Sequence, residues 1–320
     1  MNIKETAELL KSRDNYIILT HRRPDGDAHG SAQAMAIALR RMGKTVYIFK
    51  NPETTERYLR FVQDYWAPEG YVPENVITVD LASEGLFPVG AEKYFGKTVL
   101  AIDHHPSNSG YAENLLLDGS RASCGEVIYD LLPELGVTVN AEIAAPLYVA
   151  LSTDTGCFAF ANTTANTFKV AGALADTGMN FRELNRDLFR TKSRRRFTLE
   201  GLIMSGVEFY FGGLVSVITV TKKMMDDTGC TENDMDDIAA MPGSIEGVKC
   251  GITLRELTGE RDCKVSVRTS PEVDANALCR GLGGGGHKMA AGASPAGMSV
   301  PEMKEKLLSA LEQVFPGKER

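Results

Sequence analysis

Four short runs of β-branched and aromatic residues, each followed by a polar or glycine-containing segment and a helical stretch, govern what the first half of this chain can become. They are residues 16–20 (YIILT), 45–49 (TVYIF), 76–79 (VITV) and 98–102 (TVLAI). Parallel strands need a crossover long enough to hold a helix, so this alternation predicts an α/β domain: a largely parallel sheet flanked by helices. Apolar residues at helical spacing mark 31–42, which ends at Gly43 as a C-terminal glycine stop, and 124–132, 142–151, 164–175 and 181–189. The pattern changes after 190–196 (RTKSRRR). Strands at 207–211, 214–220, 248–255 and 264–269, then helices at 274–282 and 301–314, read as a smaller C-terminal α+β domain of mixed sheet. The expected organisation is a domain over 1–189, a helical linker over 190–206 and a second domain over 207–320.

A length of 320 residues, at about 150 per domain, agrees with two cores. Lys plus Arg less Asp plus Glu is 35 − 42 = −7, which disfavours a broadly basic surface that coats long nucleic acid. A small anionic substrate held by metal and a few arginines stays compatible with that charge. The six cysteines form no C-x-x-C pair, so neither a disulfide framework nor a zinc ribbon is expected, and a reducing cytoplasm suits them. No apolar run approaches a membrane span, and residues 1–15 carry no signal-peptide core; the expectation is a cytoplasmic protein without a membrane partner.

Ligands of open α/β sheets gather outside the carboxyl ends of the strands. There the chain places His21, Asp25 and Asp27 after the first run, Asp80 after the third, and Asp103-His104-His105 after the fourth. Asp154 adds an acidic position between an apolar helical run and Gly156. A single D-x-D is ordinarily a solvated turn and a single His-His pair ordinarily packing, but three strand ends carrying such clusters in one domain are not explained that way. Imidazole with carboxylate suits Mn²⁺, Fe²⁺ or Zn²⁺, and six such groups exceed what one ion needs. Two ions sharing a carboxylate would generate hydroxide and clamp a phosphoryl group, which implies phosphoester hydrolysis.

The series His21-x-x-Pro24-Asp25-Gly26-Asp27-x-x-Gly30-Ser31, Asp80, Asp103-His104-His105 and Asp154 resembles the ordered motifs of the DHH phosphoesterase superfamily. Residues 283–292 (GGGGHKMAAG) resemble the glycine-rich signature of the DHH-associated C-terminal domain, and the pairing and length are similar to the bacterial nanoRNase and pAp phosphatase branch. The resemblance implies that His21, Asp25, Asp27, Asp80, His104 and Asp154 bind two Mn²⁺, with Asp80 bridging and Mg²⁺, Co²⁺ or Fe²⁺ as substitutes. It also implies that His105 faces the substrate phosphate and that Asp103 orients the histidine pair, so that Asp103, His104 and His105 form the catalytic group. His29 stands where the family usually has an aliphatic residue, a departure that leaves the metal ligands intact.

In the second domain, Gly284, Gly285 and Gly286 lack side chains, and their amides are expected to form an anion-binding nest beside His287. Arg268, at a strand end, is the expected partner for phosphate or base, on the strength of the resemblance. The run Arg194-Arg195-Arg196 is read as a solvated face. The glycine segment and the metal cluster are expected to face a common cleft that limits substrate length. The implied substrates are short oligoribonucleotides, degraded to mononucleotides, and 3′-phosphoadenosine 5′-phosphate (pAp), which loses its 3′-phosphate. A phosphodiesterase acting mainly on linear or cyclic dinucleotides (pGpG, pApA) is the alternative, and a homodimer is compatible with the chain. The His287 signature speaks against a pyrophosphatase, and the complete ligand set against a non-catalytic sensor.

Overall fold

Five parallel strands form the sheet of the first unit: β1 (Tyr16–Leu19), β2 (Val46–Ile48), β3 (Asn75–Val79), β4 (Thr98–Asp103) and β5 (Leu115–Leu117), in the order β2-β1-β3-β4-β5. The computed structural model describes residues 1–235, 237–257 and 262–319, in two units, Met1–Thr191 and Lys192–Arg320. Every residue of β1 and β3 is buried, as expected of a parallel sheet covered on both faces. The helices of this unit are α1 (Ile3–Ser12), α2 (Gly26–Arg41), α3 (Glu56–Val62), α4 (Cys124–Leu131), α5 (Ala141–Asp154), α6 (Ala165–Asp176) and α7 (Phe181–Asn185), the last running into a π-helical turn at Arg186–Arg190. Ile18, Ile77, Leu100 and Ile102 of the sheet pack with Met35 and Leu39 of α2, Ile128 of α4, and Leu147 and Leu151 of α5. Each such side chain contributes about 1.5–3 kcal/mol by leaving water.

α2 begins five residues before the expected position 31. Asp25 caps it, its Oδ1 accepting the Ala28 N–H at 3.1 Å. Two glycines in its first turns would ordinarily weaken a helix; here they allow α5 to come close. A Cβ on Gly26 would lie 2.3 Å from Thr153 Oγ1, and one on Gly30 would lie 2.3 Å from the Pro146 carbonyl oxygen and 2.8 Å from Ala150 N. This crossing carries the start of α2 to the end of α5.

The second unit opens with α8 (Arg194–Ser205), followed by β6 (Glu208–Tyr210), β7 (Val215–Val220), α9 (Lys222–Thr228), β8 (Cys250–Glu256), β9 (Cys263–Thr269), α10 (Ala275–Arg280), β10 (Gly285–His287), β11 (Ala290–Ala293) and α11 (Val300–Glu312). The strand order is β10-β11-β9-β8-β7-β6; β7 and β8 pair in parallel and the other neighbours antiparallel, the expected mixed sheet. One face, including Val217, Ile252, Val265 and Val267, packs with Met303, Leu307 and Leu311 of α11. On the other, Ile218 and Val220 meet Leu199 and Ile203 of α8. The helix expected as a linker is thereby part of the second unit's packing. Of its arginine run, Arg195 pairs with Asp234 at 2.9 Å and Arg196 with Glu200 at 2.7 Å. Among the described residues no helix is long and apolar enough to cross a membrane.

Candidate metal centre

The strand order reverses direction around β1, between β2 on one side and β3 on the other, and a crevice at the carboxyl ends beside such a point is where α/β sheets hold ligands. His21 follows β1, Asp80 follows β3, and Asp103-His104-His105 ends β4. Asp25 and Asp27 come from the start of α2, and Asp154 is the last residue of α5. All eight residues anticipated for this centre therefore arise from element ends that meet in one place.

Asp80 sits at the middle. Its Oδ2 is 3.7 Å from His21 Nε2, which is also 3.8 Å from Asp25 Oδ1. Its Oδ1 is 3.5 Å from His104 Nε2, which lies 3.6 Å from Asp27 Oδ2 and 3.7 Å from Asp154 Oδ2. One carboxylate thus presents Oδ2 to His21, beside Asp25, and Oδ1 to His104, beside Asp27 and Asp154; Oδ1 also lies 3.5 Å from His105 Nδ1. Asp80 is 2% exposed and adopts left-handed backbone (φ 54°), a conformation that costs an aspartate energy and must be held by its surroundings. Its N–H donates to the Ile102 carbonyl at 3.0 Å, and the next carbonyl, of Leu81, accepts from the Tyr111 hydroxyl at 3.0 Å and from Asn108 Nδ2 at 3.3 Å.

The protein fixes the far ring nitrogens of His21 and His104 and the carboxylates of Asp27 and Asp103. His21 Nδ1 lies 2.7 Å from the Arg22 carbonyl and His104 Nδ1 lies 3.3 Å from that of Arg121, which turns both Nε2 atoms toward the carboxylates. Asp27 Oδ2 accepts the Cys124 N–H at 2.7 Å, while Oδ1 accepts the Gly125 N–H at 3.0 Å and the Ser31 hydroxyl at 2.9 Å, so the first amides of α4 hold this carboxylate. Asp103 is wholly buried. Its Oδ1 accepts the backbone N–H of His104 at 2.8 Å and of His105 at 3.2 Å, and lies 2.8 Å from His105 Nδ1; its Oδ2 accepts from Asn108 Nδ2 at 2.7 Å. Sequence reasoning does not single out Asn108 or Ser31, although they stand five and four residues from the aspartates they support, nor the amides of Cys124 and Gly125, whose contact with Asp27 runs through backbone across nearly a hundred residues and leaves no local pattern.

Without a cation the cluster is electrostatically unfavourable. Burial first, then the charges of Asp80 and Asp154, pushes the Asp27 carboxyl well above its ordinary range. Burial alone would lower His21 and His104, but the carboxylates around them overcome it and push them up to about 9 and about 10. Asp80 Oδ1 and His104 Nε2 are buried with no protein hydrogen-bond partner. Buried polar atoms are rarely left so, and hard carboxylate with borderline imidazole is the donor set of a first-row divalent cation; the residues fit a pair of such ions. His29 is not part of the cluster. It is 2% exposed, packs its ring 5.3 Å from that of Tyr58, and burial pushes it down to about 4.

In the second unit Arg268 of β9 stands opposite Ala290 of β11, which stands opposite His287 of β10. Directly paired residues share a face, so Arg268 and His287 flank a small alanine in one transverse row. The row continues to Gly251 and Ser216, where it is covered: a Cβ on Gly251 would lie 2.3 Å from Gly243 N, and Ser216 Oγ donates to the Pro242 carbonyl at 2.7 Å. The glycine run differs from the expected nest. Gly285–His287 is an edge strand of the sheet, and glycine is needed because a Cβ on Gly284 would lie 2.2 Å from the Gly292 carbonyl oxygen and one on Gly286 2.6 Å from that of Ala290.

Fold and site together define a class: an α/β unit whose strand ends assemble a carboxylate–imidazole centre with the donor set of divalent cations, in one chain with a mixed-sheet unit. Models of the DHH family N-terminal domain and of the DHHA1 domain match residues 15–151 and 213–316. The chain is 36% identical over 308 residues, 96% of its length and 92% of the relative's, to the bifunctional oligoribonuclease and PAP phosphatase NrnA of Thermus thermophilus. It is 31% identical over 296 residues, 91% of its length and 92% of the relative's, to the protein of the same description from Bacillus subtilis. An exopolyphosphatase-related protein from Bacteroides fragilis matches in fold with a TM-score of 0.87 at 22% identity, over 98% of this chain and 96% of that one. The chain belongs to the DHH family.

Proposed function

We propose that this protein is a two-metal phosphohydrolase that degrades short oligoribonucleotides to mononucleotides and removes the 3′-phosphate of pAp, with Mn²⁺ as its preferred ion. The observation that carries the reading is Asp80, whose two oxygens face two separate His/Asp groups. The likeness to the two NrnA proteins over nearly the whole chain supports the substrates. His21, Asp25 and Asp80 would hold one ion, and Asp27, His104, Asp154 and Asp80 the other. When bound, such a pair lowers the pKa of water to give a nucleophile at neutral pH and neutralises charge on the phosphoryl oxygens.

The chain's own groups supply the remainder. Asp103 Oδ1 accepts a hydrogen bond from His105 Nδ1–H and raises the pKa of that imidazole, which keeps Nε2–H available to donate to a phosphate oxygen or to the departing 3′-oxygen. Arg268 and His287 would hold the non-reacting phosphate and base of a nucleotide, with the edge strand β10 beside them. A side-by-side comparison of pAp, pGpG, a five-mer, a long RNA and pyrophosphate, each with and without added Mn²⁺, tests the reading. Metal-dependent turnover of the first three is expected. Turnover of pyrophosphate or long RNA in preference to them would overturn it.

A further inference from the structure

The two reactions proposed above share a fragment, and the difference between them calls for a further contact. Attack by water on the 3′-phosphorus of pAp forms a new P–O bond and breaks the P–O3′ bond; the electron pair and a proton go to the 3′-oxygen, giving 5′-AMP and phosphate. The same attack on a dinucleotide pNpN gives two 5′-mononucleotides. Both substrates contain the departing pN portion, while only the dinucleotide carries a second nucleoside, on the phosphoryl side.

The segment following Asp154 offers an aromatic face at the centre's edge. Gly156, Cys157 and Phe158 all have left-handed backbone (φ 56°, 55° and 69°), which turns the chain back on the end of α5. The Phe160 N–H donates to the Thr155 carbonyl at 2.9 Å, and Asn162 Nδ2 donates to the Asp154 carbonyl at 3.0 Å and to its Oδ2 at 3.4 Å. A Cβ on Gly156 would come within 2.5 Å of the Phe160 ring, so the ring lies against the backbone two residues beyond a metal-cluster carboxylate. Phe158 is used below it, near Tyr148 at 6.0 Å and stacked on Phe168 at 5.6 Å. Phe160 makes no ring pair among the described residues and is 59% exposed. Exposure of one apolar side chain is ordinary by itself; exposure of a ring on a loop tied by three hydrogen bonds to Asp154 and Thr155, two of them to Asp154, is a placement.

We propose that Phe160 is the stacking platform for the base of the second nucleoside, and so a specificity-determining residue for dinucleotides and longer chains that pAp does not engage. Base–aromatic stacking tolerates any base, as a short-RNA scavenger requires. The inference rests on the function proposed above. The test measures kcat/KM on pAp and on pApA for the wild type, Phe160→Ala and Phe160→Trp, with thermal melting of each. Phe160→Ala should lose about tenfold to a hundredfold on pApA, mainly in KM, and stay within about twofold on pAp, while Phe160→Trp keeps both activities. Equal losses on the two substrates, or none on pApA, would overturn the role of Phe160 and leave the parent reading intact. A wild type that hydrolyses neither substrate would overturn both.

Discussion

Asp154→Asn should stabilise the metal-free protein while removing its hydrolytic activity. In the absence of a cation, burial together with the charges of Asp80 and Asp25 outweighs the attraction of His104 and pushes the Asp154 carboxyl from 3.8 up to about 6. At about 1.4 kcal/mol per pH unit, that difference amounts to about 3 kcal/mol of destabilisation once the group is ionised in both states. The unfolded carboxyl ionises near 3.8 and the folded one near 6, so the penalty is absent below the first value, grows between them and is complete above the second. Asparagine carries no charge at any pH and keeps an oxygen for Asn162. For a unit of this size 1 kcal/mol shifts the melting temperature by about 2–4 °C. Melting in EDTA should therefore show the variant above the wild type by about 6–12 °C at pH 7, by about half that at pH 5, and by only about 1–2 °C at pH 4. Added Mn²⁺ should reverse the order, because only the wild type has the full ligand set. A variant no more stable than wild type in EDTA at pH 7, or a gain that does not change with pH, would refute the electrostatic reasoning.

Gly30→Ala should destabilise the first unit by about 1–3 kcal/mol in urea denaturation, despite alanine's better helix propensity, and weaken metal binding, because the added Cβ meets backbone atoms of α5 that cannot turn aside; unchanged stability would mean that the α2–α5 approach is looser than described. Arg268→Ala and His287→Ala should each lower kcat/KM on pAp and dinucleotides by about 10², of the order of 3 kcal/mol, and leave bis-p-nitrophenyl phosphate hydrolysis and metal content nearly unchanged. Equal losses on the minimal ester would point to a structural role for these two residues.

The strand ends were legible because both signals are local: β-branched runs that bury on both faces, and His/Asp groups at their carboxyl ends. β5 was not, since three leucines carry no strand pattern and pair only because Asp103 and its neighbours in β4 present an edge to Leu115–Leu117. The true start of α2 was hidden by Gly26 and Gly30, which argue against a helix locally and are required by the crossing with α5. Gly284–Gly286 carries the same ambiguity: a glycine needed for close approach of β10 to β11 looks the same in sequence as one needed for a nest. The hold of the Cys124 and Gly125 amides on Asp27 spans nearly a hundred residues through backbone alone, and no side-chain pattern encodes it. Nothing local separates Phe160 from a core phenylalanine; only the turn that follows Asp154 does.

The two-ion centre is tested most directly by counting the Mn²⁺ bound per chain by equilibrium dialysis and elemental analysis, for the wild type and for Asp80→Ala, alongside turnover of pAp by the same samples. Two ions per wild-type chain, loss of at least one in Asp80→Ala, and pAp hydrolysis that falls to background with it are expected, because removing the shared carboxylate takes a ligand from both groups at once. Full turnover by metal-stripped protein, or an Asp80→Ala variant that keeps two ions and activity within tenfold of wild type, would contradict the assignment of Asp80 as the bridge and the two-metal reading with it.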